Sequence, residues 1–357
     1  MGAQLQTASE NGPGSTADSP RPLLIAEGVR KTYVFRRTLM DRVRRSETNL
    51  LAAVDDVSFT LTSGETLGIA GESGSGKTTI VRCLIRLVEP DSGSITFDGI
   101  DVRAASGSAL RDIRRRMQMV FQDPHASLNP RLKVGACIIE AGRVHKRPGA
   151  SNRDVFVSQL LELVNLPSSV AEKYPRELSG GQRQRVAIAR ALAVGPDVLI
   201  ADEAVSALDV SVQAQLLNLF EDLKRELGLT MIFVAHQLSV IAQTADRVAI
   251  MFLGRIIELG PVSVVFRDPQ HPYTRALLAA HPQPNPDQRL KIEFQGTSVG
   301  LDVKRGCQYR LRCPYAEEVC EQETPPLAPA GPRQVVACIP RPFARVGQDA
   351  SEADVVR

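Results

Sequence analysis

Residues 71–78 read Gly-Glu-Ser-Gly-Ser-Gly-Lys-Thr, and no other stretch limits the possible folds so tightly. An apolar strand at 67–69 runs into this loop. Behind it, residues 79–88 carry Ile80, Val81, Leu84, Ile85, Leu87 and Val88, the broad apolar face of a packed helix. Strand, glycine loop and helix in that order make a phosphate-binding βα unit. The spacing of Gly71, Gly76, Lys77 and Thr78 fits the P-loop pattern. Small residues at Gly71, Ser73, Gly74, Ser75 and Gly76, with Glu72 among them, let backbone N–H groups turn inward onto phosphate oxygens. The helix that begins near Lys77 and Thr79 aims its positive dipole end at the same anion. Lys77 is placed to neutralise terminal phosphates, and Thr78 to ligate Mg²⁺.

A second element points to the same chemistry. Residues 198–203 read Val-Leu-Ile-Ala-Asp-Glu, an apolar strand that ends in two carboxylates. A carboxylate buried at a strand end needs a partner, because desolvating a bare charge is costly. A metal ion on a triphosphate would supply one. Asp202 is then a metal ligand, and Glu203 a general base for an attacking water. Further apolar strands are expected at 117–121, 231–235 and 248–253. Amphipathic helices lie between some of them, for example 212–227, closed by Gly228. Such alternation predicts an α/β fold with a mostly parallel sheet covered on both faces. Residues 129–173 show no strand pattern and read as a small helical insert.

Residues 178–182, Leu-Ser-Gly-Gly-Gln, form a second glycine turn before a basic amphipathic helix at 183–192. The chain therefore holds a second anion-binding helix start. Taken together, these segments closely resemble the ATP-binding subunits of ABC transporters, from about Leu23 to Phe343. The resemblance implies a P-loop NTPase (RecA-like) core with ABC-specific β elements and a helical subdomain. It implies ATP and Mg²⁺ as ligands. It makes Ser179, Gly180, Gly181 and Gln182 the signature loop, which closes on the γ-phosphate held by a second subunit. Gln122, in Met-Val-Phe-Gln-Asp-Pro, matches the Q-loop glutamine near Mg²⁺ and water. Residues 206–209, ending in Asp209, match the D-loop at the dimer seam. His236 matches the switch histidine on the γ-phosphate, and Tyr33 stands where the family places a ring on adenine. Two departures are Ala204, where many relatives have proline, and Gln237, where many have aspartate. Neither removes a ligand or a base, so hydrolysis is expected to survive.

After about Gly260 prolines become frequent and four of the six cysteines appear. Residues 271–277, His-Pro-Tyr-Thr-Arg-Ala-Leu, resemble the start of the C-terminal extension of oligopeptide, dipeptide and nickel importer ATPases. So do residues 127–130, Ser-Leu-Asn-Pro. The expected division is a disordered tail at 1–20, an ABC domain at 21–262 with its helical subdomain at about 126–180, an irregular extension at 263–345, and a polar tail at 346–357. Cys307, Cys313, Cys320 and Cys338 cluster in that extension. Reduced cytosolic thiols with little core around them suggest a metal staple. A close Cys-x-x-Cys pair is missing, and four thiolates with one Cys-Pro step suit an iron–sulfur cluster at least as well as zinc. A 4Fe–4S cluster is implied by the resemblance; zinc and no metal remain the alternatives. Cys83 and Cys137 stand alone and read as packing residues.

Composition excludes little: 43% of residues are apolar, 23% charged, and the formal net charge is only +3. Basic runs at 36–45 and 111–116 read as solvated surface. No apolar run approaches the ~18 residues that span a bilayer, and the first twenty residues lack a secretory pattern. Any membrane role must therefore come through partners. The resemblance implies two permease subunits, a second ATPase subunit that is related but different, and indirectly an extracytoplasmic binding protein, with no nucleic acid. It places the chain at the cytoplasmic face of the membrane, powering import of peptides or nickel. A soluble ABC ATPase acting on nucleic acid or ribosomes is the rival. One cassette and no long heptad stretch count against it. A P-loop switch or kinase has no use for residues 178–182.

Overall fold

The computed structural model describes residues 21–34, 50–123, 128–206, 208–280, 305–331, 333–341 and 343. The expected tails at 1–20 and 346–357 lie outside these, as do the basic run at 36–45, Ser127 and Ala207.

Two sheets build the chain. Strands β1 (Pro22–Val34) and β2 (Leu50–Thr62) pair antiparallel. With β4 (Ser92–Phe97) and β5 (Ile100–Asp101) they form a four-stranded sheet in the order β2-β1-β4-β5. The larger sheet centres on β3 (Thr66–Ala70), which pairs parallel with β8 (Thr230–Ala235) and β9 (Arg247–Phe252). Outward from β8 come β7 (Val198–Asp202) and β6 (Met117–Val120), also parallel. All side chains of β3, β7 and β8 are buried, as continuous apolar runs covered on both faces require.

Helix α1 (Lys77–Leu84) follows β3 and lies between the two sheets. Its Ile80, Val81 and Leu84 share one core with Leu67 and Ile69 of β3 and with Ile95 and Phe97 of β4. A second core joins the insert to the other side of the parallel sheet. There α3 (Val134–Val144) and α4 (Arg153–Leu163) pack with α5 (Gly180–Leu192) and α6 (Val210–Leu227) through Ile138, Leu161, Val186, Ile188 and Leu216. Gly228 ends α6 with φ 63, the left-handed cap the sequence predicts. The remaining longer helices are α2 (Gly107–Arg116), α7 (Leu238–Thr244) and α8 (Pro272–Ala279).

Two sequence expectations change. The basic run in α2 is surface only in part: Arg111 is exposed and Arg115 pairs with the exposed Asp112, but the other two arginines tie the helix to distant segments. Arg114 donates to the carbonyls of Ile85 and Arg86, and Arg116 bridges Asp98 and Asp197 at 2.7 and 2.6 Å. The cysteine extension, read as irregular, instead completes the main sheet. Its strands β11 (Ala328–Gly331) and β12 (Gln334–Val336) add antiparallel to β10 (Arg255–Pro261), giving the order β11-β12-β10-β9-β3-β8-β7-β6. Strands of three and four residues carry too little periodicity to be read from sequence.

The join is held by Glu258 of β10, which is fully buried. Its carboxylate accepts from the Gln270 and His271 backbone N–H groups at 2.7 and 3.0 Å, and from Gln334 Nε2 at 2.7 Å. Burial still pushes its pKa above the usual carboxylate range. His271 caps α8 with Nδ1, which accepts from Tyr273 N–H. Burial lowers its pKa to about 3, so the ring stays neutral and able to accept.

Candidate functional site

The loop between β3 and α1 curls over the end of the parallel sheet. Gly76 takes φ 100, and a Cβ there would stand 2.1 Å from the Ala53 carbonyl oxygen. A Cβ on Gly71 would stand 2.2 Å from the Met251 carbonyl oxygen. The loop therefore threads between two backbone segments that only glycine can pass. Ser73 and Gly74 are exposed at its crest, and Glu72 is half-buried. The Ser75 hydroxyl is buried and has no hydrogen-bond partner among the described residues. Lys77 is buried, and its Nζ donates to the Gly71 and Glu72 carbonyls, both at 2.9 Å. Burial lowers its pKa, against the pull of Glu203, Asp202 and Glu72. Thr79 follows, half-buried, in the first turn of α1.

The two halves read separately from sequence meet here. Thr78 Oγ1 donates to Asp202 Oδ1 at 3.0 Å, across 124 residues of chain. Burial raises the Asp202 pKa, and the Thr78 hydrogen bond works the other way. A hydroxyl and a carboxylate at this separation could share a divalent cation, whose charge would replace the water Asp202 has lost.

Glu203 lies one residue beyond β7 with φ 48. A non-glycine residue there is strained by about 1–2 kcal/mol. The strain is held from both sides. Glu203 N–H donates to the Val234 carbonyl, while the Ser206 hydroxyl and N–H donate to the Glu203 carbonyl at 2.9 and 3.1 Å. These bonds and the burial of Ala204 fix the turn without proline. His236, after β8, brings Nδ1 to 4.0 Å from Glu203 Oε1 and is about half exposed. Gln237 also has a partner, accepting from Gln213 Nε2 of α6 at 2.9 Å.

The other predicted residues lie around this centre or away from it. Gln122 is exposed just past β6. Asp209 is the exposed N-cap of α6, with no side-chain cap bond. Tyr33 is partly exposed near the end of β1, with Lys31 Nζ 5.9 Å from its ring centre. Ser179 caps α5: its Oγ accepts from Gln182 N–H, and Gln182 Oε1 accepts from Ser179 N–H. Within one chain, the loop of Ser179 and Gln182 is thus closed on itself in a capping box. A Cβ on Gly181 would stand 2.5 Å from Val212, so α5 packs against α6 there. Gly180 is half-buried at the helix start.

Sequence reasoning missed contacts from the extension to the loop. Tyr273 of α8 and Arg312 both bind Glu72. Separations of 201 and 240 residues leave no local signal of this. The structure also gathers Cys307, Cys313, Cys320 and Cys338 around one pocket beside Tyr309 and His271. Burial pushes the Cys313 and Cys338 thiols up to about 11 and raises Cys307. Among the described residues, however, no group of three or more His, Cys, Asp or Glu side chains is arranged to hold a metal ion.

Two family profiles match the chain. Residues 54–206 match "ABC transporter", and residues 257–320 match "Oligopeptide/dipeptide transporter, C-terminal region". A peptide ABC transporter ATP-binding protein of Sinorhizobium fredii is 48% identical over 81% of this chain and 82% of its own length. The chain belongs to the ABC transporter ATP-binding proteins. A peptide import ATP-binding protein of Brucella ovis is 44% identical over 89% of this chain and 98% of its own. Among solved structures, an ABC transporter component from Clostridium perfringens aligns with TM-score 0.59 at 27% identity, covering 69% of this chain and 91% of that one. A dimeric ATP-binding cassette bound to ADP and Pi aligns with TM-score 0.57 at 28% identity, covering 67% and 98%. The ABC profile spans the phosphate loop, the strand-end carboxylates and the capped loop at Ser179. The second spans the extension that binds Glu72. Among the described residues no helix is long and apolar enough to cross a membrane.

Proposed function

We propose that this chain is the ATP-hydrolysing subunit of a peptide importer, working in a pair of cassettes against two membrane permeases at the cytoplasmic face. One observation carries the chemistry: the Thr78–Asp202 contact sits where Lys77, Glu203 and the phosphate loop converge. Lys77 would exchange the Gly71 and Glu72 carbonyls for phosphate oxygens. Thr78 and Asp202 would hold Mg²⁺, which screens the phosphate charge when bound. Glu203 would take the proton of the attacking water, with His236 and Gln122 lining the terminal phosphate. Tyr33 would stack on adenine. Peptide as cargo follows from the oligopeptide/dipeptide extension and from the names of the relatives.

The second glycine loop supports action in pairs. Ser179, Gly180, Gly181 and Gln182 present a capped helix start, the kind of site that receives an anion. In the reading proposed here that anion is the γ-phosphate held by the partner cassette, with Asp209 at the seam. Ser179→Arg should leave ATP binding to the chain's own phosphate loop unchanged. It should lower turnover of the assembled pair by about a hundredfold, since one preorganised donor at a developing charge is worth that much. Equal turnover would remove the shared-nucleotide arrangement.

For the four cysteines we propose a metal centre. All four line one pocket, which supports it, although as they stand no three of them are placed to hold an ion together, so the side chains would have to close in and give up their protons to bind one. The donor set suits a 4Fe–4S cluster, which would act as a staple for a module with little core. Anaerobically purified protein should contain iron and acid-labile sulfide, and Cys313→Ser should lose both. Zinc at one equivalent would assign the alternative metal, and protein free of both would end the proposal.

A further inference from the structure

The phosphate loop does not stand alone. Glu72, its second residue, is gripped by the C-terminal extension through three of its atoms. Its N–H donates to Tyr273 Oη at 3.0 Å. Its two carboxylate oxygens accept from the guanidinium fork of Arg312, each at 3.2 Å. The fourth polar group of Glu72, its carbonyl, accepts from Lys77 Nζ. A continuous path therefore runs from the extension through Glu72 to the lysine that would meet the phosphates.

The gripping side chains are themselves immobilised. Tyr273 is fully buried, and the Arg312 side chain is 6% exposed. The Tyr309 ring meets both Phe252 and Tyr273 edge-on, at 5.4 Å between centroids in each case. The Arg312 guanidinium lies 5.7 Å from the Tyr309 ring centre and 5.9 Å from that of Phe252. Arg312 also directly precedes Cys313, and Tyr309 follows Cys307 by two residues. The segment that carries two of the pocket thiols thus also carries Arg312, the charged half of the clamp. A forked guanidinium–carboxylate pair is directional, and with its guanidinium buried and its carboxylate partly so it loses more than a fully exposed pair when one partner is removed.

We propose that Arg312 and Tyr273 are positioning residues of the nucleotide site, through which the cysteine module holds the phosphate loop in its receiving form. This rests on the reading of residues 71–78 as the ATP site. Neither side chain touches nucleotide; both act through Glu72. Loss of the clamp leaves the loop to be ordered by the nucleotide itself, so the effect falls on binding more than on the chemical step.

The full-length protein tests this by titration with a fluorescent ATP analogue, steady-state hydrolysis with its cassette partner, and hydrogen exchange at the Glu72 amide. Arg312→Met should weaken nucleotide binding and raise KM by about tenfold, as loss of a charged hydrogen-bond pair does. kcat should change less. Arg312→Lys should recover part of the loss. In a Glu72→Gln background, Arg312→Met should add little further. Tyr273→Phe deletes one acceptor and should speed exchange of the Glu72 amide even if Arg312→Met does not fold. Binding within twofold of the parent for Arg312→Met, additive losses in the double variant, or unchanged amide exchange in Tyr273→Phe would each overturn the proposal. If the parent protein binds no ATP, the nucleotide reading fails instead, and the exchange experiment still reports on the clamp.

Discussion

Glu203→Gln should lower ATP turnover by about a thousandfold, the middle of the range a positioned general base supplies, while nucleotide affinity stays near that of the parent. Glutamine keeps the size and polarity of the side chain, and the turn around it is held by backbone and Ser206 contacts that the change does not touch. What it removes is the proton acceptor. The expected consequence is a closed pair of cassettes loaded with ATP, visible as a stable dimer by size-exclusion chromatography in the presence of Mg·ATP. Turnover at the parent rate would take the base assignment from Glu203 and pass it to another group near the metal. His236 would be the first to test, since it lies 4.0 Å away.

Lys77→Met should fail one step earlier. The side chain is buried with both of its identified acceptors on the loop backbone, so its charge is already desolvated before nucleotide arrives. Replacing two carbonyls by phosphate oxygens exchanges dipoles for full charges. Each charged hydrogen bond contributes about 1.5–3 kcal/mol, so ATP affinity should fall by about a hundredfold or more, with hydrolysis lost in proportion. Methionine preserves the volume, and circular dichroism together with the melting temperature separates this loss from unfolding. Undiminished affinity would mean that the phosphates are held elsewhere. The two variants are complementary: Lys77→Met removes the complex, and Glu203→Gln accumulates it.

Much of the candidate site is legible in the sequence because its parts are local. Eight consecutive residues make the phosphate loop, and its glycines are demanded by the Ala53 and Met251 carbonyls packed against it. The strand 198–202 announces its burial by an unbroken apolar run, and its terminal Asp202 stands out for that reason. Gly228 signals the end of α6 in the same local way. The helical insert is likewise recognisable by lack of strand periodicity between β6 and β7. The basic run of α2 misleads, because arginines that pair with carbonyls and carboxylates of distant segments look in sequence like any charged surface. The extension misleads for a related reason. Its two short strands take their order from β10, which already exists, so they need little intrinsic preference of their own.

By itself, the sequence determined the phosphate loop, the carboxylates that face it, the capped second loop and the α/β class, because each depends on residues within a turn or a strand of one another. Only the tertiary structure decided that the cysteine extension joins the main sheet, that its four thiols face one pocket, and that Arg312 and Tyr273 hold Glu72. The contacts on Glu72 bridge more than two hundred residues of chain. Side-chain identity there is compatible with many partners, and the choice among them is made by which segments the sheet order brings together.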